Sequence, residues 1–258
     1  MVGTPLFTCS SASKSLFSEV PQWTESGISL PELNSLYRNQ KISLVIPCYN
    51  EEEGLPVVLK EVPDLVDEII VVDNNSTDQT GNIARDSGVK VIREMKKGYG
   101  QAFQTGFALV TGDIIITMDG DGTYPPPEIP RLLEILFGDE LDFISACRFP
   151  LTDKGVMDPV SKFGNRILTI ATRILFGNGL KDSQSGMWIL RKDVWEKSPA
   201  RNKGMAFSEE IKIRAILGGA KFREVHIPYR ERFGKKKIRK FRDGMKNLIF
   251  LLKLRIGN

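Results

Sequence analysis

Two carboxylates stand two residues apart in Asp119-Gly120-Asp121-Gly122, directly after the apolar, largely β-branched run Ile114-Ile115-Ile116-Thr117-Met118. That run, bounded on its other side by Gly112, reads as a buried strand. At the end of an extended segment such spacing lets both carboxylates reach one point, and the glycines let backbone and ligand approach closely. Paired oxygen donors of this kind suit Mg²⁺ or Mn²⁺ held jointly with a substrate diphosphate. Taken by itself, the tetrapeptide fits a solvated acidic loop at a strand end at least as well, so its meaning depends on its surroundings.

The surroundings are a series of strands and helices. Ile42 to Pro47 reads as a strand stopped by proline, followed by Asn50 as a helix cap and a helix running toward Leu65. Glu68 to Asp73 is a second strand ending on a carboxylate, and Asn74 to Asp78 form a turn and cap for a helix reaching about Ser87. Val89 to Arg93 is a third strand, Gly100 to Val110 a helix, and Asp113 to Met118 the fourth strand. Strands alternating with helices at this spacing predict an α/β fold, a parallel sheet wound by right-handed crossovers. Ligands of such sheets sit at the carboxyl ends of the strands. Glu51, Asp73, Asp119 and Asp121 all follow strand ends, and four acids on one edge repel one another unless a cation or polar ligand lies between them.

Composition narrows the classes. The chain has 258 residues, 41% of them hydrophobic, enough for one sizeable core or two small ones. Its net charge is +4, with the excess concentrated between Arg230 and Lys246. Three scattered cysteines (Cys9, Cys48, Cys147) make neither a disulfide framework nor a zinc site, which points to a reducing compartment. The single histidine, His226, lies in an alternating segment and reads as a strand residue, not a catalyst. No apolar run is long enough to span a bilayer, and no signal-peptide pattern opens the chain. After the first strand stands Pro47-Cys48-Tyr49-Asn50-Glu51 where a dinucleotide fold needs Gly-x-Gly-x-x-Gly, and there is no Walker lysine motif. Lys97-Gly98-Tyr99-Gly100, read alone, is a flexible turn before a helix. The division expected is a loosely ordered extension over residues 1–40 with a short helix near Leu30 to Arg38, one domain over 41–238, and a basic amphipathic helix over 239–258.

In order along the chain, Ile46-Pro47-Cys48-Tyr49-Asn50-Glu51, Val72-Asp73-Asn74-Asn75-Ser76-Thr77-Asp78, Lys97-Gly98-Tyr99-Gly100 and Asp119-Gly120-Asp121 resemble the family 2 glycosyltransferases of GT-A fold. The resemblance covers about residues 41–250 and is to the dolichol-phosphate mannose and glucose synthase branch. It implies a nucleotide-sugar site made by Pro47, Tyr49, Glu51, Asp73, Asn75, Lys97, Gly98, Asp119 and Gly120, with Asp119 and Asp121 holding the metal. Thr123 stands where this branch often has a third metal contact from Gln, and Asn74-Asn75 replace a common Asp-Gly.

The second half follows the same scheme. Leu141 to Cys147 is a strand leading to Arg148, where Ala146-Cys147-Arg148 replaces the usual Gly-Ser-Arg and keeps the cation. Val160 to Phe176 is a helix with Lys162, Arg166 and Arg173 among its apolar residues, either packed on the sheet or lying at a membrane interface. Asp182-Ser183-Gln184-Ser185-Gly186 resembles the acceptor-side Asp-x-x-x-Gly motif, before a strand from Trp188 to Leu190. Phe207 opens a helix in which, by resemblance, Glu210 faces the donor sugar; of the adjacent Glu209 and Glu210, one is expected in solvent. Arg230 to Lys237 is similar to a phosphate-binding Arg-x-x-Gly-x-Ser-Lys segment, with Lys236 in place of Ser. Beyond it, Phe241 to Ile256 mixes apolar and basic residues, as suits an anionic membrane surface. The aromatics of the basic stretch are too few for a nucleic-acid platform.

The resemblance thus implies an inverting hexosyltransferase, peripheral at the cytosolic face of a membrane, with Mg²⁺ or Mn²⁺ as cofactor. It would move a hexose from a GDP-mannose- or UDP-glucose-type donor to a polyprenyl or dolichyl phosphate. Catalysis falls to Asp182, Glu210 and Arg232, and the acceptor phosphate to Arg148, Arg232 and Lys237. Three alternatives stand beside it: a soluble or polysaccharide hydroxyl acceptor, which needs an ionised base; a nucleotidyltransferase, whose glycine- and arginine-rich first turn is missing; and a non-catalytic membrane-surface module.

Overall fold

The computed structural model describes residues 40–153, 155–235 and 240–257. The expectations for residues 1–39, including the short helix near Leu30 to Arg38, and for Lys236 and Lys237 lie outside the described residues. The elements are β1 (Ile42–Cys48), α1 (Leu55–Glu61), β2 (Glu68–Asp73), α2 (Thr80–Asp86), β3 (Lys90–Arg93), α3 (Tyr99–Phe107) and β4 (Ile114–Thr117). After a 3₁₀ turn (Pro126–Glu128) come α4 (Ile129–Gly138), β5 (Phe143–Cys147), α5 (Pro159–Phe176), β6 (Trp188–Arg191), α6 (Lys192–Lys197), α7 (Phe207–Leu217), β7 (Phe222–His226) and α8 (Lys240–Ile256).

β1 is buried along its whole length because helices cover both its faces. Leu44 and Ile46 enter one layer with Leu55 and Val58 of α1 and Leu132, Leu133 and Leu136 of α4. Val45 enters the opposite layer with Phe103 and Phe107 of α3 and Phe207 and Ile211 of α7, as the two-residue period of a strand requires. A third cluster joins Leu168 of α5, Ile213 of α7, and Leu251 and Leu254 of α8, so α5 rests on other helices and not on the sheet.

The strand order is β3-β2-β1-β4-β6-β5-β7. β6 alone runs against both its neighbours, β4 and β5, and the remaining pairings are parallel. Trp188, the first residue of β6, pairs with Thr117, the last of β4. β6 therefore enters the sheet from the carboxyl edge, and the loop over residues 182–187 lies where Asp119 and Asp121 emerge.

Four local expectations are corrected. Asn50 does not cap a helix: it sits at φ 56°, and its Oδ1 accepts from the Thr77 N–H at 2.8 Å, which pins this loop to the neighbouring turn. α1 begins only at Leu55 and stops at Glu61, because Pro63 forces Val62 to an extended ψ of 127°. The turn at Asn74 to Asp78 ends one residue short of α2, whose N-cap position is Gln79, while the Asp78 carboxylate takes the Thr80 N–H at 3.0 Å. Neither Glu209 nor Glu210 is solvated; both are buried, because the start of α7 is closed over by the loops before it and by Gln184. His226 falls in β7 as expected.

Candidate active site

A cavity opens at the carboxyl edge of β1 and β4. Of the residues expected at a nucleotide sugar, Pro47, Tyr49, Glu51, Lys97, Gly98 and Asp119 line it, as do Asp121 and Arg232. Asp73, Asn75 and Gly120 stand behind the lining. Asp73 accepts from the Ser76 N–H at 2.9 Å, Asn75 makes the left-handed turn at φ 61°, and Gly120 is pressed against Cys48 and Ile46. Cys48, Asn74, Tyr99, Ala102, Met205 and Asp243 complete the wall; none of them was assigned to the site from sequence, although Cys48 and Asn74 stood inside quoted motifs. Tyr99 stood inside a quoted motif, whereas Asp243 is a lone acid in a basic helix and carried no signal.

At one end, Lys97 Nζ donates to Tyr49 Oη at 2.8 Å and stands 4.3 Å from the centre of that ring. Asn74 is a staple: its Nδ2 donates to the Lys96 carbonyl at 2.8 Å and its Oδ1 accepts from the Gly98 N–H at 2.8 Å. The glycine loop is thereby held against β2.

The paired carboxylates are held differently. Asp119 is half-buried at the cavity wall, and its Oδ1 accepts from Tyr99 Oη at 3.1 Å. Desolvation in the fold, then the charge of Asp121, push its carboxyl up to about 7, against the opposing pull of Arg232 and Tyr99. Asp121 is buried; its Oδ1 accepts from Thr123 N at 3.0 Å and Thr123 Oγ1 at 2.7 Å, and its Oδ2 takes an arm of Arg232. Thr123 is thus turned onto Asp121, as its short side chain allows. The other arm of Arg232 meets Glu51. Gly122 makes this turn at φ 78°, where a Cβ would strike the Phe233 ring.

This set fits a divalent cation. It offers hard carboxylate oxygens, and a guanidinium already stands against Asp121 and Glu51 as a cation does. Among the described residues no three His, Cys, Asp or Glu side chains gather into a metal site. The coordination sphere must then be filled by substrate oxygens or water, which is how Mg²⁺ is commonly bound at phosphates.

The residues expected on the acceptor side are tied to one another. Arg148 and Asp182 form a bidentate pair at 2.7 and 2.7 Å, both buried. Burial opposes ionisation of Asp182, but Arg148 outweighs it and holds the carboxyl below its ordinary value. Glu210 does not line the cavity. Its Oε2 accepts from the N–H groups of Arg201 (2.9 Å) and Asn202 (2.7 Å), and its Oε1 pairs with Arg214. Glu209 accepts from Gln184, leaves Oε2 without a partner, and is pushed by burial up to about 8. Lys212 donates to the carbonyls of Asp182 (2.9 Å) and Ser185 (3.1 Å), and burial lowers it to about 8. The loop ends on Gly186, whose N–H donates to Tyr124 Oη at 2.7 Å; a Cβ there would stand 3.2 Å from Asp119 Oδ2.

A wound, mostly parallel sheet carrying paired carboxylates and a poised cation at its carboxyl edge defines a GT-A glycosyltransferase. The chain belongs to Glycosyl transferase family 2, which it matches over residues 43–206. It is 32% identical to the low-salt glycan biosynthesis hexosyltransferase Agl6 of Haloferax volcanii over 82% of this chain and 53% of that one, and so spans about half of that relative's length. It is 31% identical to a dolichyl-phosphate hexose transferase of the same organism, over 81% of this chain and 91% of the relative. An undecaprenyl-phosphate mannosyltransferase of Micrococcus luteus is 34% identical over 74% and 84%. Among solved structures, glucosyl-3-phosphoglycerate synthase of Mycobacterium tuberculosis, in complex with Mn²⁺, UDP-glucose and phosphoglyceric acid, superposes with a TM-score of 0.73 at 26% identity. It covers 92% of this chain and 86% of that one.

Proposed function

We propose that this enzyme transfers a hexose from a nucleotide diphosphate sugar to a polyprenyl or dolichyl phosphate, with Mg²⁺ or Mn²⁺ held by Asp119 and Asp121. The observation that carries the reading is the guanidinium of Arg232, set against Asp121 and Glu51 in the same cavity as the metal pair. A bound metal supplies charge neutralisation for the departing diphosphate. With a metal on Asp121, the arm of Arg232 now bonded there would be freed, and the guanidinium could stabilise charge developing on the departing diphosphate. Tyr99 keeps Asp119 turned into the cavity, and Lys97 on Tyr49 closes the nucleoside end. The two acid-base candidates are engaged elsewhere, Asp182 by Arg148 and Glu210 by Arg214 and two backbone N–H groups. An acceptor phosphate, already an anionic nucleophile, needs no base; a hydroxyl acceptor would require one of these pairings to break. Arg148 is spent on Asp182 in the same way; Arg232 is paired as well, but with the cavity acids that a metal would engage, so it, with Lys237 beyond the described residues, is our candidate to meet the acceptor phosphate. The named relatives that act on dolichyl and undecaprenyl phosphates support this choice.

The reading includes a membrane. No helix among the described residues is long and apolar enough to cross one. α5 and α8 pack together and expose Phe163, Ile167 and Ile174 on one, Phe241, Leu252 and Ile256 on the other, among Lys162, Arg166 and Lys253. Apolar side chains between cations suit the headgroup region of an anionic bilayer. In vesicle sedimentation, binding should require anionic lipid and weaken with salt, because exposed charges are screened within roughly 10 Å at 0.1 M. Absence of binding to anionic vesicles would remove the membrane from the account.

A further inference from the structure

Lys212 of α7 is fully buried, as are Ile211 and Ile213 beside it. Among the described residues its hydrogen-bond partners are not carboxylates but two backbone carbonyls, those of Asp182 at 2.9 Å and Ser185 at 3.1 Å. Taking an ammonium out of water is costly, and burial lowers this one to about 8 against the upward pull of Asp182 and Glu224. An apolar side chain of similar volume fills such a space without that cost, so the packing of α7 does not account for a lysine.

The two carbonyls belong to the loop that precedes β6, and one ammonium ties residues 182 and 185 together. The far end of this loop is held without Lys212. The Gly186 N–H donates to Tyr124 Oη at 2.7 Å, and the Gly186 carbonyl accepts from Thr117 Oγ1 at 2.9 Å. There the loop presses on Tyr99 and Asp119, with no room for a side chain between them. The near end, Asp182 to Ser185, takes its position from three helices. Lys212 holds it from α7, Thr169 of α5 accepts from the Ser183 N–H at 3.1 Å, and Asn247 of α8 donates to Gln184 Oε1 at 3.1 Å. The Ser185 carbonyl also accepts from Trp188 Nε1 at 2.8 Å, whereas the Asp182 carbonyl has Lys212 as its donor among the described residues. Lys212 is therefore the tie that sets the backbone at Asp182, the residue paired with Arg148.

We infer that Lys212 is a positioning residue for transfer, which fixes the Asp182 to Ser185 end of this loop and with it the side of the site that the acceptor approaches. The inference rests on the proposed reaction, in which the acceptor must reach the hexose beside a diphosphate held at Asp119 and Asp121. The loop that abuts Asp119 borders that approach. Lys212 does not line the cavity and acts through the loop backbone; Asn247, through Gln184, supports the same stretch from α8.

The test separates donor from acceptor in the full chain with Mn²⁺ present, comparing Lys212→Met, Lys212→Gln and Asn247→Leu with the unsubstituted protein. Calorimetric titration with UDP and GDP reads the donor side. Transfer from radiolabelled UDP-glucose, UDP-galactose or GDP-mannose to polyprenyl phosphate, at varied acceptor, reads the other. Circular dichroism checks folding, and if Lys212→Met does not fold, Asn247→Leu carries the test. Nucleotide affinity should stay within about twofold, because the Gly186 end is held independently. In Lys212→Met, kcat/KM for polyprenyl phosphate should fall about 10- to 100-fold with a raised KM for that acceptor, the scale on which a small misplacement acts. Lys212→Gln, which keeps two N–H donors on a shorter stem, should lie between, and Asn247→Leu should shift the same parameter less. Equal weakening of nucleotide and acceptor would show a general structural role and overturn the inference. So would unchanged acceptor kinetics, or a lower kcat with both KM values unchanged, which marks only a smaller active fraction. If the unsubstituted chain binds nucleotide but transfers nothing to polyprenyl phosphate, the acceptor reading itself fails and this inference falls with it.

Discussion

Arg232→Ala should make the nucleotide-free protein bind Mn²⁺ more tightly, even though it removes a residue proposed to serve transfer. The guanidinium bonds Asp121 through one arm and Glu51 through the other, with its side chain only 17% exposed. A unit charge pair at about 4 Å interacts by about 4 kcal/mol at an effective dielectric of 20, before desolvation and side-chain entropy are subtracted. What survives for a hydrogen bond to a charged group is about 1.5–3 kcal/mol. A metal arriving at Asp121 must displace one arm and leaves the Glu51 arm in place, so the lower end of that range applies. Removing the competitor should then lower the Mn²⁺ dissociation constant about tenfold. Titration with Mn²⁺, reading the free ion by electron paramagnetic resonance, measures this directly. With UDP or GDP present the gain should vanish or reverse, because the displaced guanidinium now serves the diphosphate. An unchanged or weaker Mn²⁺ affinity in the nucleotide-free variant would refute the competition.

Two further substitutions test the interior. Arg148→Ala leaves Asp182 buried and unpaired, which should destabilise the fold by about 3–5 kcal/mol, whereas Arg148→Met combined with Asp182→Leu should recover much of the loss in urea unfolding. Glu209 has an ordinary value of 4.5 and is raised to about 8 by burial, so the folded state keeps a proton that the unfolded chain releases. Its contribution to stability is complete below about pH 4.5 and is lost as pH rises toward 8. The melting temperature of Glu209→Gln should therefore gain on the unsubstituted protein steadily across that window. Lys212, lowered to about 8, contributes with the opposite slope only above that pH, and Asp119 contributes equally to both proteins. A pH-independent difference would show that Glu209 is ionised in the folded protein.

Much of the architecture was legible because Leu44 to Pro47, Ile69 to Val72 and Ile114 to Ile116 are apolar runs, and a run buried on both faces has no other home than a covered sheet. The carboxylates at their ends marked the cavity for the same reason: the chain must turn there, and the acids turn with it. The direction of β6 was not legible, since Trp188-Ile189-Leu190 is equally apolar read either way, and only the loop before it decides from which edge it enters. Nor were the partners of the buried charges. Arg148 and Asp182 are 34 residues apart, and nothing in either neighbourhood names the other. Glu210 looked like a sugar ligand, but the loop before its own helix presents the N–H groups of Arg201 and Asn202 to it. Asp243 was hidden by its context, one acid among the cations of α8, and became visible only when the helix was placed against the cavity.

The central claim is that the acceptor is a lipid phosphate, and product partition tests it most directly. The protein is incubated with Mn²⁺, polyprenyl phosphate and each of a panel of radiolabelled nucleotide sugars, and the mixture is extracted with organic solvent. The account predicts that label from at least one donor enters the organic phase only when polyprenyl phosphate is supplied, and that Arg232→Ala loses this transfer while still binding free nucleotide. Label that passes only to water-soluble oligosaccharide across the whole panel would contradict it.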